Sequence, residues 1–469
     1  MTYFNEMFQD GKTRPPYARL ANWTESMPAP LRQMKQAEAE ALFRRIGITF
    51  AVYGEGGDPD RLIPFDMFPR VFTGQEWSKL ERGIKQRARA LNAFLLDVYG
   101  RGEIVRAGRI PARLVYQNEA YEQAVVGIVP PKGVYSHIVG IDIVRTGPED
   151  FFVLEDNCRT PSGVSYMLEN REIMMRMFPD LFRENRIQPV DSYPARLRRT
   201  LASVAPAKCK GEPTVVILTP GHFNSAYYEH SFLADLMGIE LVEGQDLFVE
   251  GEFVWMRTTE GPRRVDVIYR RMDDAYIDPL CFRPDSMLGI PGLMDVYRSG
   301  GVSICSAPGA GVADDKAVYT FVPEMVRFYL GEEPILQNVP TWQCGKADDC
   351  QYVLENLGDL VVKEVHGSGG YGMLVGPKST QAQIELFRDK IKADPSNYIA
   401  QPTLALSTTP TFVEEGIAPR HVDLRPYCLC GESIDLVPGG LTRVALTDGS
   451  LVVNSSQGGG VKDTWVLAE

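Results

Sequence analysis

Residues 359–376 read DLVVKEVHGSGGYGMLVG, and how this stretch divides decides what kind of fold to expect. VVKEV is a short β-branched run and MLVG is another, so Gly367-Ser368-Gly369-Gly370-Tyr371-Gly372 joins two strands. Glycine lacks the Cβ that keeps backbone N–H groups away from a ligand, so such a loop can cradle a polyphosphate. It does not open a helix, as a dinucleotide-binding G-x-G-x-x-G does, and it lacks the spacing of a Walker loop. A Gly-rich hairpin turn accounts for the same residues. Lys363, on the strand that feeds the loop, gives the phosphate reading its charge.

Two further patterns bear on that choice. The stretches YSHIVGIDIV (135–144) and FFVLEDN (151–157) read as strands, and in the second Glu155 and Asn157 are two apart, so an extended chain puts them on one face. With Asp142 on the preceding strand they make three oxygen donors of the kind that hold Mg²⁺. The same residues also describe a strand end running into a solvated acidic turn. Lys316, Arg425, Arg443 and Lys462 stand in apolar or turn-forming surroundings. Exposure is the common fate of Lys and Arg, and a cluster neutralising nucleotide phosphates is the functional alternative.

Around these patterns the chain divides into four portions. Residues 1–110 show helical periodicity in LRQMKQAEAEALFRRIGI and WSKLERGIKQRARALNAFLLDVYG and read as a helical region packing on the core. Residues 111–194 carry the strands with the oxygen donors. In 195–310 the order PTVVILTPG, YYEHSFLADLMG, IELVEG, RRVDVIYRRMDD, GVSICSAPGAG is strand, helix and further strands, the mark of a small doubly wound parallel sheet. Residues 311–469 open on a helix, DDKAVYTFVPEMVRFYL, and continue through the glycine loop to NYIAQPTLAL, HVDLRPYCLC, GGLTRVAL and LVVNSSQGGGVKDTWVL.

DDKAVY at Lys316, VVKEVHGSGGYGM at Lys363, IAQP at Gln401 and above all VPGGLTRVAL with VNSSQGGGVKDTWVL resemble the circularly permuted type 2 ATP-grasp family, relatives of the synthetase domain of glutathionylspermidine synthase. The resemblance runs from YFNEMFQDGKTRPPY to DTWVL and implies an α/β, circularly permuted ATP-grasp fold. In unpermuted relatives the two nucleotide-binding lysines precede the metal-binding D…E-x-N, whereas here Asp142, Glu155 and Asn157 precede Lys316 and Lys363. Position by position, the resemblance implies that Asp142, Glu155 and Asn157 hold Mg²⁺ and that Lys316 and Lys363 contact the ATP phosphates. It puts Gln401 at the adenine hinge, makes Gly367, Ser368, Gly369, Gly370, Tyr371 and Gly372 a lid, and leaves Arg425 and Arg443 to stabilise the transferred group. The synthetase carries an Arg two residues before its metal-binding Asp, and this chain has Gly140 there.

The activity implied is an ATP-dependent carboxylate–amine ligase working through an acyl phosphate, with a small carboxylate and an amine, a peptide or polyamine included, as substrates. Its rivals are a phosphotransferase on the same scaffold and a non-catalytic ATP-binding protein, because fold does not fix function. The chain has 469 residues, enough for about three lobes of ~150 residues each. A net charge of −12 opposes binding to nucleic acid or anionic membranes. No basic-then-apolar leader and no spanning apolar run is present, and the eight cysteines are scattered without metal-ligand spacing, so the sequence reads as cytoplasmic. Nothing in it fixes an oligomeric state.

Overall fold

The run FDMFPRVF offers no polar alternation that would put one face in water, and all eight of its residues are buried. In the computed structural model, which describes residues 3–46, 49–50, 61–367, 372–413, 416–450, 453 and 459–468, it forms strand β1 (Phe65–Phe72). Residues 1–110, expected as a helical region, therefore also contain this strand: Asp66, Pro69 and Arg70 interrupt its apolar residues, and with both faces covered it lacks the strict period-2 signal by which a strand is read. Helix α1 (Gly74–Val98) follows at once. Thr73 and Glu76 form a capping box, Thr73 Oγ1 accepting the Glu76 N–H at 3.1 Å and Glu76 Oε2 the Thr73 N–H at 2.9 Å. The face Trp77, Leu80, Ile84, Leu91, Leu95 is buried in the main core.

Next come β2 (Ile138–Arg145) and β3 (Phe151–Asn157), paired antiparallel with Asp142 opposite Glu155 and Gly140 opposite Asn157. The following lobe is the parallel sheet the sequence announced: β4 (Val215–Leu218), α2 (Tyr227–Met237), β5 (Glu240–Val242), β6 (Val267–Arg270) and β7 (Ser303–Cys305), in the order β7-β6-β4-β5 with every pair parallel. The predicted helix over 314–330 is broken into α3 (Lys316–Tyr319), a turn at Val322–Met325 and a wide turn at Val326–Leu330. Pro323, which lacks an N–H, stands at the second break.

The glycine-loop strands are β8 (Leu360–Glu364) and β9 (Met373–Val375), an antiparallel hairpin with β10 (Tyr398–Pro402) on the other side of β8. Finally β11 (Gly416–Arg425), β12 (Leu441–Val444) and β13 (Gly460–Val466) return to the first sheet. Six strands of that ten-stranded sheet run β3-β2-β11-β12-β13-β1, of which β13 and β1 pair parallel, and the short strand Gln337–Asn338 adds a second parallel pair on the outer side of β3.

Alternation along the strands sorts the side chains. On β8, Leu360 and Val362 point into a satellite core with Val353, Leu357 and Ile391, so Val361 and Lys363 face the other way. On β2, Val139, Ile141 and Ile143 enter the main core, leaving Gly140 and Asp142 on the opposite face. All eight cysteines are free, five of them buried. Among the described residues no helix is long and apolar enough to cross a membrane.

Candidate functional site

The free faces of the two sheets line one cavity of about 970 Å³. The ten-stranded sheet contributes Gly140, Asp142, Glu155, Asn157, Asp423, Arg425 and Arg443; the β8 sheet contributes Val361, Lys363, Met373, Val375 and Gln401. Lys316, at the first turn of α3, and Gly367 complete this end. The parallel lobe closes the far end with Asn224 to Ala226 and Asp273 to Tyr276, the segments beyond the carboxyl ends of β4 and β6. Those two strands flank the point where the strand order reverses, which is where open α/β sheets bind ligands.

Register explains how residues far apart in sequence meet. Asp142 and Glu155 are direct cross-strand partners, as are Asp423 and Arg443, and Gln401 lies opposite Val361 one step from Lys363. Asp156, between Glu155 and Asn157, points away and is held bidentately by Arg87, both bonds 2.6 Å. Asn157 Nδ2 donates to Asp142 Oδ1 at 3.4 Å, Arg425 Nη1 lies 2.9 Å from Asp142 Oδ2, and Arg425 Nε and Nη2 donate to Asp423 Oδ2 at 3.1 and 3.0 Å. The Lys316 ammonium donates to the carbonyl of Gly367. Gln401 is buried and donates to Thr341 Oγ1 at 3.1 Å.

Burial and close charges shift the titration of the groups at this end. Burial raises Asp142 well above the ordinary carboxylate range; Arg425 opposes this, and Glu155 and Asp423 reinforce it. Burial also pushes Glu155 up, but the ammonium groups of Lys363 and Lys316 outweigh it and hold Glu155 at about 2. Lys363 is lowered by burial and by Lys316, with Glu155 pulling the other way. Burial and the neighbouring Arg425 lower Arg443.

Among the described residues no three His, Cys, Asp or Glu side chains could hold a metal ion by themselves; the donor set is two carboxylates and the Asn157 amide. That set fits Mg²⁺, a hard cation that takes one or two carboxylates and completes its shell with phosphate and water oxygens.

Of the residues singled out from sequence, Asp142, Glu155, Asn157, Lys316, Lys363, Gly367, Gln401, Arg425 and Arg443 all line the cavity. Ser368, Gly369, Gly370 and Tyr371 lie outside the described residues. Gly372 is not among the lining residues; it takes φ +67°, and a Cβ there would meet the Glu364 carboxylate carbon at 2.6 Å. Lys462 is also elsewhere, sealed against Asp66. At Gly140, a Cβ would lie 2.9 Å from Pro161 Cβ, so the chain after β3 occupies the room an arginine would need. Sequence reading missed Asp423, signalled only by the D-x-R alternation in HVDLR, and Arg159, which lines the cavity and lies 3.0 Å from Asp273.

The family described as circularly permuted ATP-grasp type 2 matches this chain over residues 69–445. An uncharacterised protein of Synechocystis sp. is 53% identical over 468 residues, covering 99% of this chain and 97% of that protein. One of Mycobacterium tuberculosis is 52% identical over 470 residues, 99% of this chain and 84% of its own. A Frankia alni protein named "Putative glutamate--cysteine ligase 2-3" is 41% identical over 459 residues, 98% of this chain and 53% of that protein. Among solved structures, a glutathione synthetase-like effector of Globodera pallida in its apo form superposes over 100% of both chains with a TM-score of 0.59 at 12% identity, a likeness of fold.

Proposed function

Because this chain belongs to the circularly permuted ATP-grasp type 2 family, we propose that it is an ATP-dependent carboxylate–amine ligase that activates its acid as an acyl phosphate. The observation that carries the reading is the convergence of Asp142, Glu155 and Asn157 with Lys316, Lys363, Arg425 and Arg443 on one cavity, from elements scattered over about 300 residues of sequence. The Frankia alni relative's name describes condensation of a carboxylate with an amine, which is the same bond; the glutamate–cysteine pair itself is said of that protein.

In this reading Lys316 and Lys363, approaching from different elements, bind the ATP phosphates, and Gln401 with Val361, Met373 and Val375 receives the base. Asp142, Glu155 and Asn157 would hold Mg²⁺, which would supply charge neutralisation at the phosphate oxygens. Glu155 stays ionised near neutral pH because Lys363 and Lys316 hold its proton affinity down despite burial. Arg425, braced by Asp142 and Asp423, and Arg443 face the place where charge builds as the phosphoryl group moves to the substrate carboxylate. The amine then attacks the acyl carbon of the positioned acyl phosphate, the C–N bond forms as the C–O bond to phosphate breaks, and inorganic phosphate leaves while the nitrogen gives up a proton to solvent, so most of the rate comes from placement and charge neutralisation. The acid and amine enter from the far end, built by the parallel lobe. Eight unpaired thiols suit a reducing compartment, and the proposed site of action is the cytoplasm.

The test is an ADP-release screen of acid and amine pairs with purified protein, followed by mass spectrometry of each hit. An amide together with ADP supports the ligase; a phosphorylated product without an amide replaces it with a phosphotransferase, and the absence of turnover over a broad panel favours a binding protein.

A further inference from the structure

Asp314 stands between the two halves of the candidate site. It ends the turn Ala310–Asp314, two residues before Lys316. Its Oδ1 accepts the backbone N–H of Cys158 and that of Arg159, the latter at 3.2 Å. These are the first two amides beyond β3, whose last ladder pair is Asn157 with Gly140, so Asp314 supplies the acceptor that a neighbouring strand no longer does. The Cys158 carbonyl is held as well, by the Ser136 hydroxyl at 2.6 Å.

The next residue holds the other half. Asp315 Oδ1 accepts the N–H groups of Ala317 and Val318 at 2.7 and 2.8 Å, capping α3 directly around Lys316. Asp315 Oδ2 accepts from Asn118 Nδ2 at 2.8 Å and lies 3.4 Å from His366 Nδ1, at the root of the glycine loop. Two adjacent carboxylates therefore tie three segments together: the end of the donor strand, the Lys316 turn and the residue before Gly367.

The geometry points to Asp314 as a positioning residue that holds Asn157 and Lys316 at the spacing Mg²⁺-ATP requires. It acts through its Oδ1 acceptor position more than through the ion pair that its Oδ2 makes with Arg159 Nε at 3.5 Å, and the inference rests on the proposed nucleotide site. Partners one step removed from a metal's ligands orient those ligands, and their loss costs about 10- to 100-fold in metal affinity.

The experiment compares wild type with Asp314→Ala and Asp314→Asn, the second keeping an oxygen acceptor in place without the charge. ATP is titrated calorimetrically at a series of Mg²⁺ concentrations, and amide exchange at Cys158 and Arg159 is followed without nucleotide. Asp314→Ala should raise the half-saturating Mg²⁺ concentration about tenfold and speed exchange at both amides, with little change in melting temperature, while Asp314→Asn stays within about threefold of wild type. An unchanged Mg²⁺ requirement in Asp314→Ala, or an Asn variant as impaired as the Ala variant, overturns the inference. If the Ala variant does not fold, Asp314→Glu decides, since moving the acceptor by one methylene must also raise the requirement. Wild type that binds no ATP at any Mg²⁺ concentration overturns the nucleotide reading and this inference with it; binding that Asp314→Ala leaves unchanged overturns this inference alone.

Discussion

Two clusters of buried charge sit on the same ten-stranded sheet, and they differ in one respect that matters. The first joins Glu6 to Arg70 by two bonds of 3.0 and 2.6 Å, brings Arg145 close, and sets Lys462 directly across the strand pair from Asp66. Its members are at most 3% exposed, and Lys462 also donates to the carbonyls of Phe68 and Pro410 at 3.1 and 2.8 Å. The second, around Asp142, Glu155, Lys363 and Arg425, uses the same residue types but faces a cavity of about 970 Å³. The sealed set pairs within itself, whereas the second set faces open volume, which is what the proposed nucleotide site requires. Neither burial nor residue type separates the two, and only access to the cavity does.

The largest expected effect comes from breaking the sealed cluster. Removing one partner of a buried pair leaves an uncompensated charge, so Glu6→Ala should cost about 3–5 kcal/mol of unfolding free energy in denaturant titrations, and Lys462→Met, which strands Asp66, a similar amount. ATP affinity of the folded fraction should not change in either. A stability loss below about 1 kcal/mol, the worth of a surface pair, would mean that the cluster is not sealed.

The open cluster should respond the other way round. Lys363→Ala removes a phosphate contact and should weaken ATP binding about tenfold, roughly 1.4 kcal/mol, while the melting temperature moves little. An equal loss of stability in the two clusters, with ATP binding intact in both, would erase the distinction.

Lys462 shows where sequence reading stops. It follows a glycine run and looks like a phosphate ligand, yet its partner Asp66 lies 396 residues away and on a strand that gives no alternating signal. What was legible had local causes. VVIL, VIYR and SIC are apolar runs ended by Gly, Pro or polar turns, and they are the strands of the parallel lobe; Glu155 and Asn157 share a face because they are two apart; the strands on either side of the glycine loop form a hairpin. Asp423, Arg159 and Asp314 were not legible, because each acts through a partner that only cross-strand register or a loop crossing brings near. Pro161 packed over Gly140 explains after the fact why no arginine stands there.

The smallest effect sharpens the comparison by sign. Burial would raise Glu6, but Arg70 and Arg145 hold it below the usual carboxylate range, so its contribution is present above the unfolded value near 4.5 and is lost as pH falls. Glu122, at the far end of the cavity, is pushed up to about 7 by burial and by Asp274, so its stability is present below 4.5 and is lost as pH rises through 7. Between pH 5 and 7 wild type should therefore lose on the order of 1 kcal/mol relative to Glu122→Gln, read as a difference in thermal unfolding across the two pH values. Parallel pH profiles for the two proteins would contradict the assignment.

The central claim, that the open cluster exists to receive Mg²⁺-ATP, is tested most directly by titrating ATP into wild type and Glu155→Gln with Mg²⁺ and with excess chelator. The account predicts saturable binding to wild type that the chelator weakens, and binding to Glu155→Gln that is weak in Mg²⁺ and indifferent to the chelator. Absence of ATP binding in wild type, or equal, Mg²⁺-independent binding in both proteins, would contradict it.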